Sequence, residues 1–585
     1  MKGSTKKIVW LAAALLMAAE ARSSDLRTLV WDTGKRFTAD NIDLNRRDGW
    51  RPVAPDTPAA YAFQGDAVIE NDRLQVLCGT RCGPPLVYSK AGVGQGPRRM
   101  SLLALNGKRE PCATITSIKI VENSGDEAVL ELSSRSGGGD STRTSIALGT
   151  GHRFVEVRPV QNATAVRACA PSRFAVMPDF FGDDVVFDAR RSAGDQLYVP
   201  AENILLNFTG NGDTILMTVW PLGDQEVQAL LAGDKAGRFF EAMEFSFDNK
   251  SLYFAVLDNP GIWHSVALSD ASCPGKDVAT GWKKPFEARW RGDFRLPGRT
   301  DSWEFESRRR EKATVVPFGQ IVWPFWFDHD KAMIRLVKPD YLGVALIYPL
   351  ERRQNTPLAV FTPVDILRET LGTGPCEYIL DREGVGTRTP GGNRHLVCTG
   401  VCNTTGRMQH FFERGLECKE RKIIQDMAED VQAFNITVRE RLEEYKAFAR
   451  RLAQLCREET QRNPAIRPVA QRAERLQKRL DELFRERLPE MKTPPDNVAL
   501  VGQLKDLTQA ESPENLGKYL SVAAQLRALA SAQDTLAALC RCEVRLFRRE
   551  LGVIAAGDRS VAKFAEKLRE LARNALRKKH YTEGA

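Results

Sequence analysis

The 585-residue chain has six histidines and 8% aromatic residues, so few side chains titrate near neutrality. A Ser-His-Asp signature, an HExxH zinc motif, a P-loop and a dinucleotide fingerprint are all missing. CxxCH is absent too, which leaves covalent haem attachment without support. No nucleic-acid module motif occurs, and no apolar run reaches the roughly 20 residues that a bilayer span needs. No nucleic-acid partner and no membrane span are therefore expected. What is present describes a globular protein: 43% hydrophobic and 27% charged residues, with a mild net charge of +9. Such a length has room for two to four domains, each with its own core.

The first 21 residues have the three parts of a secretory signal. Lys2, Lys6 and Lys7 precede an uncharged apolar run from Ile8 to Ala19, and Ala19-Glu20-Ala21 fits a small-x-small cleavage site. Export to a periplasmic or extracellular location is expected, in soluble form. An oxidising compartment permits disulfides among the 12 cysteines. Cys78 and Cys82 in CGTRC, and Cys398 and Cys402 in CTGVC, are too far apart in sequence for a zinc knuckle, so disulfides are expected instead. Residues two apart on a helix point to different sides, so Cys456 is expected to pair with Cys540 or Cys542 rather than those two with each other.

From about residue 25 to 375 the hydrophobic pattern alternates with period two. Ile115–Val121 and Ala128–Leu132 flank the turn Asn123-Ser124-Gly125-Asp126. Ile204–Thr209 and Thr214–Trp220 flank Gly210-Asn211-Gly212-Asp213, and Phe239–Phe247 and Leu252–Leu257 flank Asp248-Asn249-Lys250. Short strands separated by Gly/Asn/Asp turns predict a large antiparallel β-sandwich over residues 22–330. A mixed β/loop segment connects it, over 331–404, to the rest.

After Thr405 the period becomes 3.5–3.6. Val438, Leu442, Tyr445 and Phe448 form one stripe, Val469, Ala473, Leu476 and Leu480 another, and Val561, Phe564, Leu568, Leu571 and Ala575 a later one. Residues 405–585 are therefore expected to form an antiparallel helical bundle with some coiled-coil packing. The fold class is multidomain, β then α. This segment holds 35 Lys/Arg against 27 Asp/Glu, nearly all of the chain's basic excess. A solvated face with i,i+4 pairs such as Asp481–Arg485 accounts for that excess, and a docking face for an acidic polymer is the competing account.

Gly65-Asp66-Ala67-Val68-Ile69-Glu70-Asn71, leading into Leu74-Gln75-Val76-Leu77, and Gly151–Arg158 carry a resemblance over about residues 50–300. This region resembles the galactose-mutarotase-like β-supersandwich shared by polysaccharide lyases and several carbohydrate-active families, here with the helices after the sandwich. With Pro363–Asp381 entering the helices, the whole chain is similar to a class of large exported bacterial proteins. The resemblance implies a carbohydrate-related function.

Trp323-Pro324-Phe325-Trp326-Phe327-Asp328-His329-Asp330 is the densest candidate site. Aromatic faces stack on sugars while carboxylates bond hydroxyls, so Trp323, Trp326 and Asp328, with Arg289, are candidate substrate-binding residues; the aromatic run also fits a buried strand and its turn. His264, His329 and Tyr341 are candidate catalytic acids or bases, with Arg289 or Arg291 as charge stabilisers for lyase chemistry. A solvated strand face is the plainer account of both arginines. Asp179, Asp183 and Asp184 surround Gly182 and are a candidate calcium set without EF-hand spacing; no other cofactor is indicated. Glu241 and Glu244 cannot share a strand face, so they make a poor glycosidase pair.

The expected function is binding of an extracellular polysaccharide, with lyase or hydrolase chemistry as its catalytic form. The alternative is a non-catalytic envelope assembly protein that binds a protein partner or self-associates through its helices.

Overall fold

A computed structural model describes residues 27–55, 61–90, 98–178, 184–192, 194–199, 201, 203–221, 226–234, 236–268, 277–296, 299–306, 325–328, 330–335, 343–352, 361–371, 418–487, 497–509 and 513–576. All described strands lie between Leu29 and Arg352, and all described α-helices between Pro363 and Leu576. The switch in hydrophobic period thus marks a real change from antiparallel sheet to helix. Two compact units are formed: Met1–Pro171 with Leu216–Pro221 and Phe240–Asp258, and Ser172–Ile215 with Leu222–Phe239 and Asn259–Ala585.

The first unit contains two antiparallel sheets. One orders its strands Phe239–Ser246, Ala165–Ser172, Arg98–Leu105, Leu86–Ser89, Leu74–Cys78, Ala67–Glu70, Leu29–Asp32 and Arg51–Val53. The other orders them Thr214–Val219, Leu252–Asp258, Phe154–Gln161, Ser141–Gly149, Glu127–Arg135 and Thr114–Asn123. Alternation decides which side chains face inward. Leu102, Ala104 and Val166 of the first sheet meet Ile146 and Val157 of the second across a narrow void, which makes the pair a sandwich. Ala128, Leu130 and Leu132 are buried every second residue, as the sequence pattern requires.

The segment around Asp248-Asn249-Lys250 departs from expectation. Phe239–Ser246 lies in the first sheet and Leu252–Asp258 in the second, so the chain crosses between sheets rather than closing a hairpin. Asp248 and Asn249 both have positive φ, 46° and 57°, which turns the chain sharply enough for the crossing.

In the second unit a four-stranded sheet orders His264–Leu268, Gly343–Arg352, Ala288–Leu296 and Arg299–Glu306. A three-stranded sheet orders Asp277–Lys283, Lys331–Arg335 and Phe325–Asp328. The helical region follows as α1 (Pro363–Leu371), α2 (Cys418–Arg462), α3 (Arg467–Arg487), α4 (Asn497–Gln509), α5 (Pro513–Gly557) and α6 (Arg559–Leu576). Helix α5 packs on α2, α3, α4 and α6. Val438, Leu442, Tyr445 and Phe448 are buried from α2, and Val469, Ala473, Leu476 and Leu480 from α3. On α6 the buried stripe is Val561, Ala565, Leu568, Ala572 and Ala575; Phe564 and Leu571 stand half-exposed at its margin.

The cysteine expectation is corrected. Cys456, Cys540 and Cys542 are free thiols, as are Cys78, Cys82 and Cys112; Cys398 and Cys402 lie outside the described residues. Cys456 and Cys540 are fully buried in the apolar stripes, where a thiol packs as a small hydrophobe without a bond. Burial pushes the Cys456 thiol up to about 12. The helix-surface pairs also differ from the expected Asp481–Arg485: Lys478 and Arg479 both reach Glu482.

Candidate functional site

The outward face of the first sheet of the sandwich carries a polar constellation drawn from several strands and loops. Register places it residue by residue. Trp31 pairs with Val68, Glu70 with Gln75, Gln75 with Tyr88, Leu86 with Ser101, Ser101 with Cys169, and Leu103 with Arg167. Directly paired residues share a face, and successive residues alternate. The side chains between them, Ile69, Val76, Val87 and Leu102, point into the sandwich core. Trp31, Glu70, Gln75, Tyr88, Ser101 and Arg167 therefore look outward from successive strands.

At one end of this face Glu70 is buried yet fully engaged. Arg47 grips it with both terminal nitrogens at 2.9 and 2.8 Å. Trp31 Nε1 and Gln75 Nε2 each donate to it at 2.8 Å, and Lys90 Nζ lies 3.2 Å away. Burial pushes its carboxyl up, but the bonds from Arg47 and Gln75 and the charges of Lys90 and Arg47 outweigh that and hold it below the usual range. Glu70 is thus a fixed acceptor and not a proton donor. The Arg47 guanidinium lies over both indoles, 5.4 Å from Trp31 and 5.2 Å from Trp50. Arg47 is exposed and Trp31 and Trp50 are half-buried, so this end presents aromatic and cationic surface to solvent.

The loops beneath are anchored by two buried carboxylates. Asp32 accepts from the backbone of Gly34, Gln64 and Gly65 and from the Tyr61 hydroxyl; burial raises its pKa, and these bonds bring it below the ordinary value. Asp66 accepts from Phe37 N, and burial pushes its carboxyl up. Gly65 is required here, since a Cβ would lie 2.6 Å from the backbone nitrogens of Gly34 and Lys35. Leu44, with Trp50 beside it, packs on Val68, Leu77 and Leu86 and seats the loop that delivers Arg47.

At the other end Glu244 is buried beneath two arginines. Arg167 donates from Nε and Nη2 to its Oε1 at 2.8 and 2.6 Å; Arg109 Nη2 reaches its Oε2 at 2.9 Å. Arg109 Nη1 also donates to Ser246 Oγ at 3.1 Å. Five strand spacings separate the Glu70 and Glu244 strands, or ~24 Å, a span suited to an extended oligomer.

The residues singled out in the sequence fall elsewhere. His264 starts its strand half-buried, stacked on Trp282 with ring centroids 6.0 Å apart, and its Nε2 lies 3.3 Å from the Thr280 carbonyl. Burial lowers its pKa, so the ring is neutral at pH 7. His264 pairs with Ile347, which faces Gly292; Arg289, Arg291 and Asp293 alternate to the opposite face of that sheet. The sheet therefore separates His264 from both candidate arginines. Arg289 is half-buried, across from Glu306 and Glu351. Arg291 corrects the solvated-face expectation: it is buried and donates to Asp184, also buried.

A guanidinium thus supplies the countercharge of Asp184, where calcium was considered. Among the described residues no cluster of His, Cys, Asp and Glu has metal-site geometry. Asp179, Asp183, Trp323, His329 and Tyr341 lie outside the described residues, and Trp326 and Asp328 are described only as backbone of Phe325–Asp328. Glu241 is exposed and Glu244 buried, on opposite faces as alternation requires. In the helices, Arg472 and Arg475 of α3 reach Glu550 and Arg479 reaches Glu543, so part of the basic excess binds α3 to α5.

No protein-family model matches this chain, and no curated protein does. Among solved structures, an α-N-acetylgalactosaminidase of Bifidobacterium bifidum is 10% identical with a TM-score of 0.22, over 33% of this chain and 33% of that one. A glycoside hydrolase family 81 enzyme of Clostridium thermocellum is 11% identical with a TM-score of 0.22, over 72% of this chain and 51% of that one. A heparinase III is 10% identical with a TM-score of 0.18, over 44% of each. The chain spans between about a third and a half of the length of these structures, and likenesses this faint carry no argument.

Proposed function

We propose that this is an exported carbohydrate-binding protein with a supersandwich-like β region, and that the outward face of its first sheet holds the glycan. The observation that carries the reading is the Arg47–Trp31–Trp50–Glu70 cluster. Indole and guanidinium planes stand at the surface, and a carboxylate, an amide and an ammonium are fixed beside them. Sugars need that combination, a flat partner for C–H faces and oriented polar groups for hydroxyls. Glu70 is held charged, which favours binding over acid catalysis at this place. Assembly through the helices calls instead for an exposed apolar stripe, whereas Val438, Leu442, Tyr445 and Phe448 of α2 and Val469, Ala473, Leu476 and Leu480 of α3 are buried.

Affinity electrophoresis of the full chain through gels containing neutral or acidic polysaccharides tests the proposal. Retardation by at least one polymer is expected, with loss on combining Arg47→Ala and Trp50→Ala. Failure of every polymer to retard the protein, or undiminished retardation of that variant, overturns it.

A further inference from the structure

From the Glu244 end of the face we infer that Arg109 and Arg167 form a subsite for an anionic substituent of the bound glycan, a carboxylate or a sulfate ester. The inference rests on the carbohydrate reading and specifies its ligand class. Two guanidiniums share one carboxylate, so the cluster keeps a net positive charge. The side chains of Arg109 and Arg167 are 24% and 26% exposed and that of Glu244 only 5%, so the cations face solvent with the anion beneath. The bonds to Glu244 and Ser246 leave Arg167 Nη1 and Arg109 Nε without a hydrogen bond among the described residues. Planar guanidinium forks match the oxygens of carboxylates and sulfates.

The backbone supports the same assignment. Arg109 has φ 65°, the left-handed region that non-glycine residues rarely occupy. The turn is fixed around Asn106, whose Oδ1 accepts from Lys108 N and Glu110 N, while Arg109 N donates to Asn106 O. Neighbouring Glu110 accepts from Asn106 Nδ2 and makes no hydrogen bond to either arginine among the described residues. Glu244 is a positioning residue here: it aligns both guanidiniums without meeting the glycan.

The test is affinity electrophoresis of the full chain with polygalacturonate, which carries carboxylates only, with dextran sulfate, and with neutral dextran. Arg109→Gly keeps the left-handed backbone without steric cost while removing the guanidinium, and Arg167→Lys keeps the charge but loses the fork. Stronger retardation of wild type by one or both anionic polymers is expected, with a loss of roughly tenfold in either variant, the size of a charge-assisted bond. The polymer that shows this loss identifies the substituent. Arg158→Ala, on the second sheet, is expected to change nothing. Equal retardation of wild type by dextran and the polyanions, or undiminished polyanion binding by Arg109→Gly and Arg167→Lys, overturns the subsite and leaves the carbohydrate reading standing. Absence of binding to any polymer overturns both.

Discussion

The two outward faces of the sandwich are built from the same alternation but differ in kind. On the second sheet Thr116, Lys119 and Glu122 stand exposed, Val121 is 61% exposed, and the Arg158 side chain, 59% exposed, pairs locally with Glu156. That is an ordinary solvated face. On the first sheet Glu70, Gln75, Tyr88, Ser101 and Glu244 are buried, and Glu70 and Glu244 draw arginine partners from distant parts of the chain. Buried polar groups must be satisfied by specific partners, whereas exposed ones are satisfied by water. The contrast locates the fully buried carboxylates, Glu70 and Glu244, on the first sheet's face.

The strongest way to break the comparison is Glu244→Ala. It leaves two guanidiniums facing each other without their shared carboxylate, and a loss of about 3 kcal/mol in chemical denaturation is expected. A loss below about 1 kcal/mol would place this face in the solvated class.

Next comes Glu70→Gln, expected to cost about 2 kcal/mol through the lost Arg47 and Lys90 interactions. This effect depends on pH in a defined direction. The folded carboxyl titrates below the ordinary glutamate value of 4.5, so its contribution is complete above that value and is lost as pH falls through the folded one. Wild type and variant should converge in strong acid; a difference that persists there contradicts the ionic account.

His264 gives a smaller effect of its own sign. Burial lowers its pKa from 6.5, so its contribution is present above 6.5 and declines as pH falls from there toward the folded value. His264→Gln should flatten the stability profile in that window, and an unchanged slope would show the ring to be solvated. Smallest of all is Arg158→Ala, expected within about 0.5 kcal/mol of wild type, with any effect diminished by salt.

Much of the architecture was legible because it is local. Period two in Ala128–Leu132 and period 3.6 in Val438–Phe448 each report a buried face within one element. The crossing at Asp248-Asn249 was not legible, because the same turn residues serve a hairpin and a change of sheet. The candidate face was only half-visible. Glu70 and Gln75 interrupt apolar strands, a signal that a polar group is held inside. Their partner Arg47 lies 23 residues from Glu70, and Arg109 lies 135 residues from Glu244, so strand order had to be known first. The His264 and Arg291 pairing failed for the converse reason: proximity in sequence does not say which face of the sheet each residue takes. Arg291 also read as a surface residue, since its buried partner Asp184 lies 107 residues away.

Amide hydrogen exchange of the full chain, with and without a retarding polysaccharide, tests the central claim most directly. Added protection is predicted at residues 44–52, 86–90, 106–110 and 165–169, across the first sheet's outward face and its loops. Protection confined to residues 114–161 on the second sheet, or to 262–294 around His264, would contradict it.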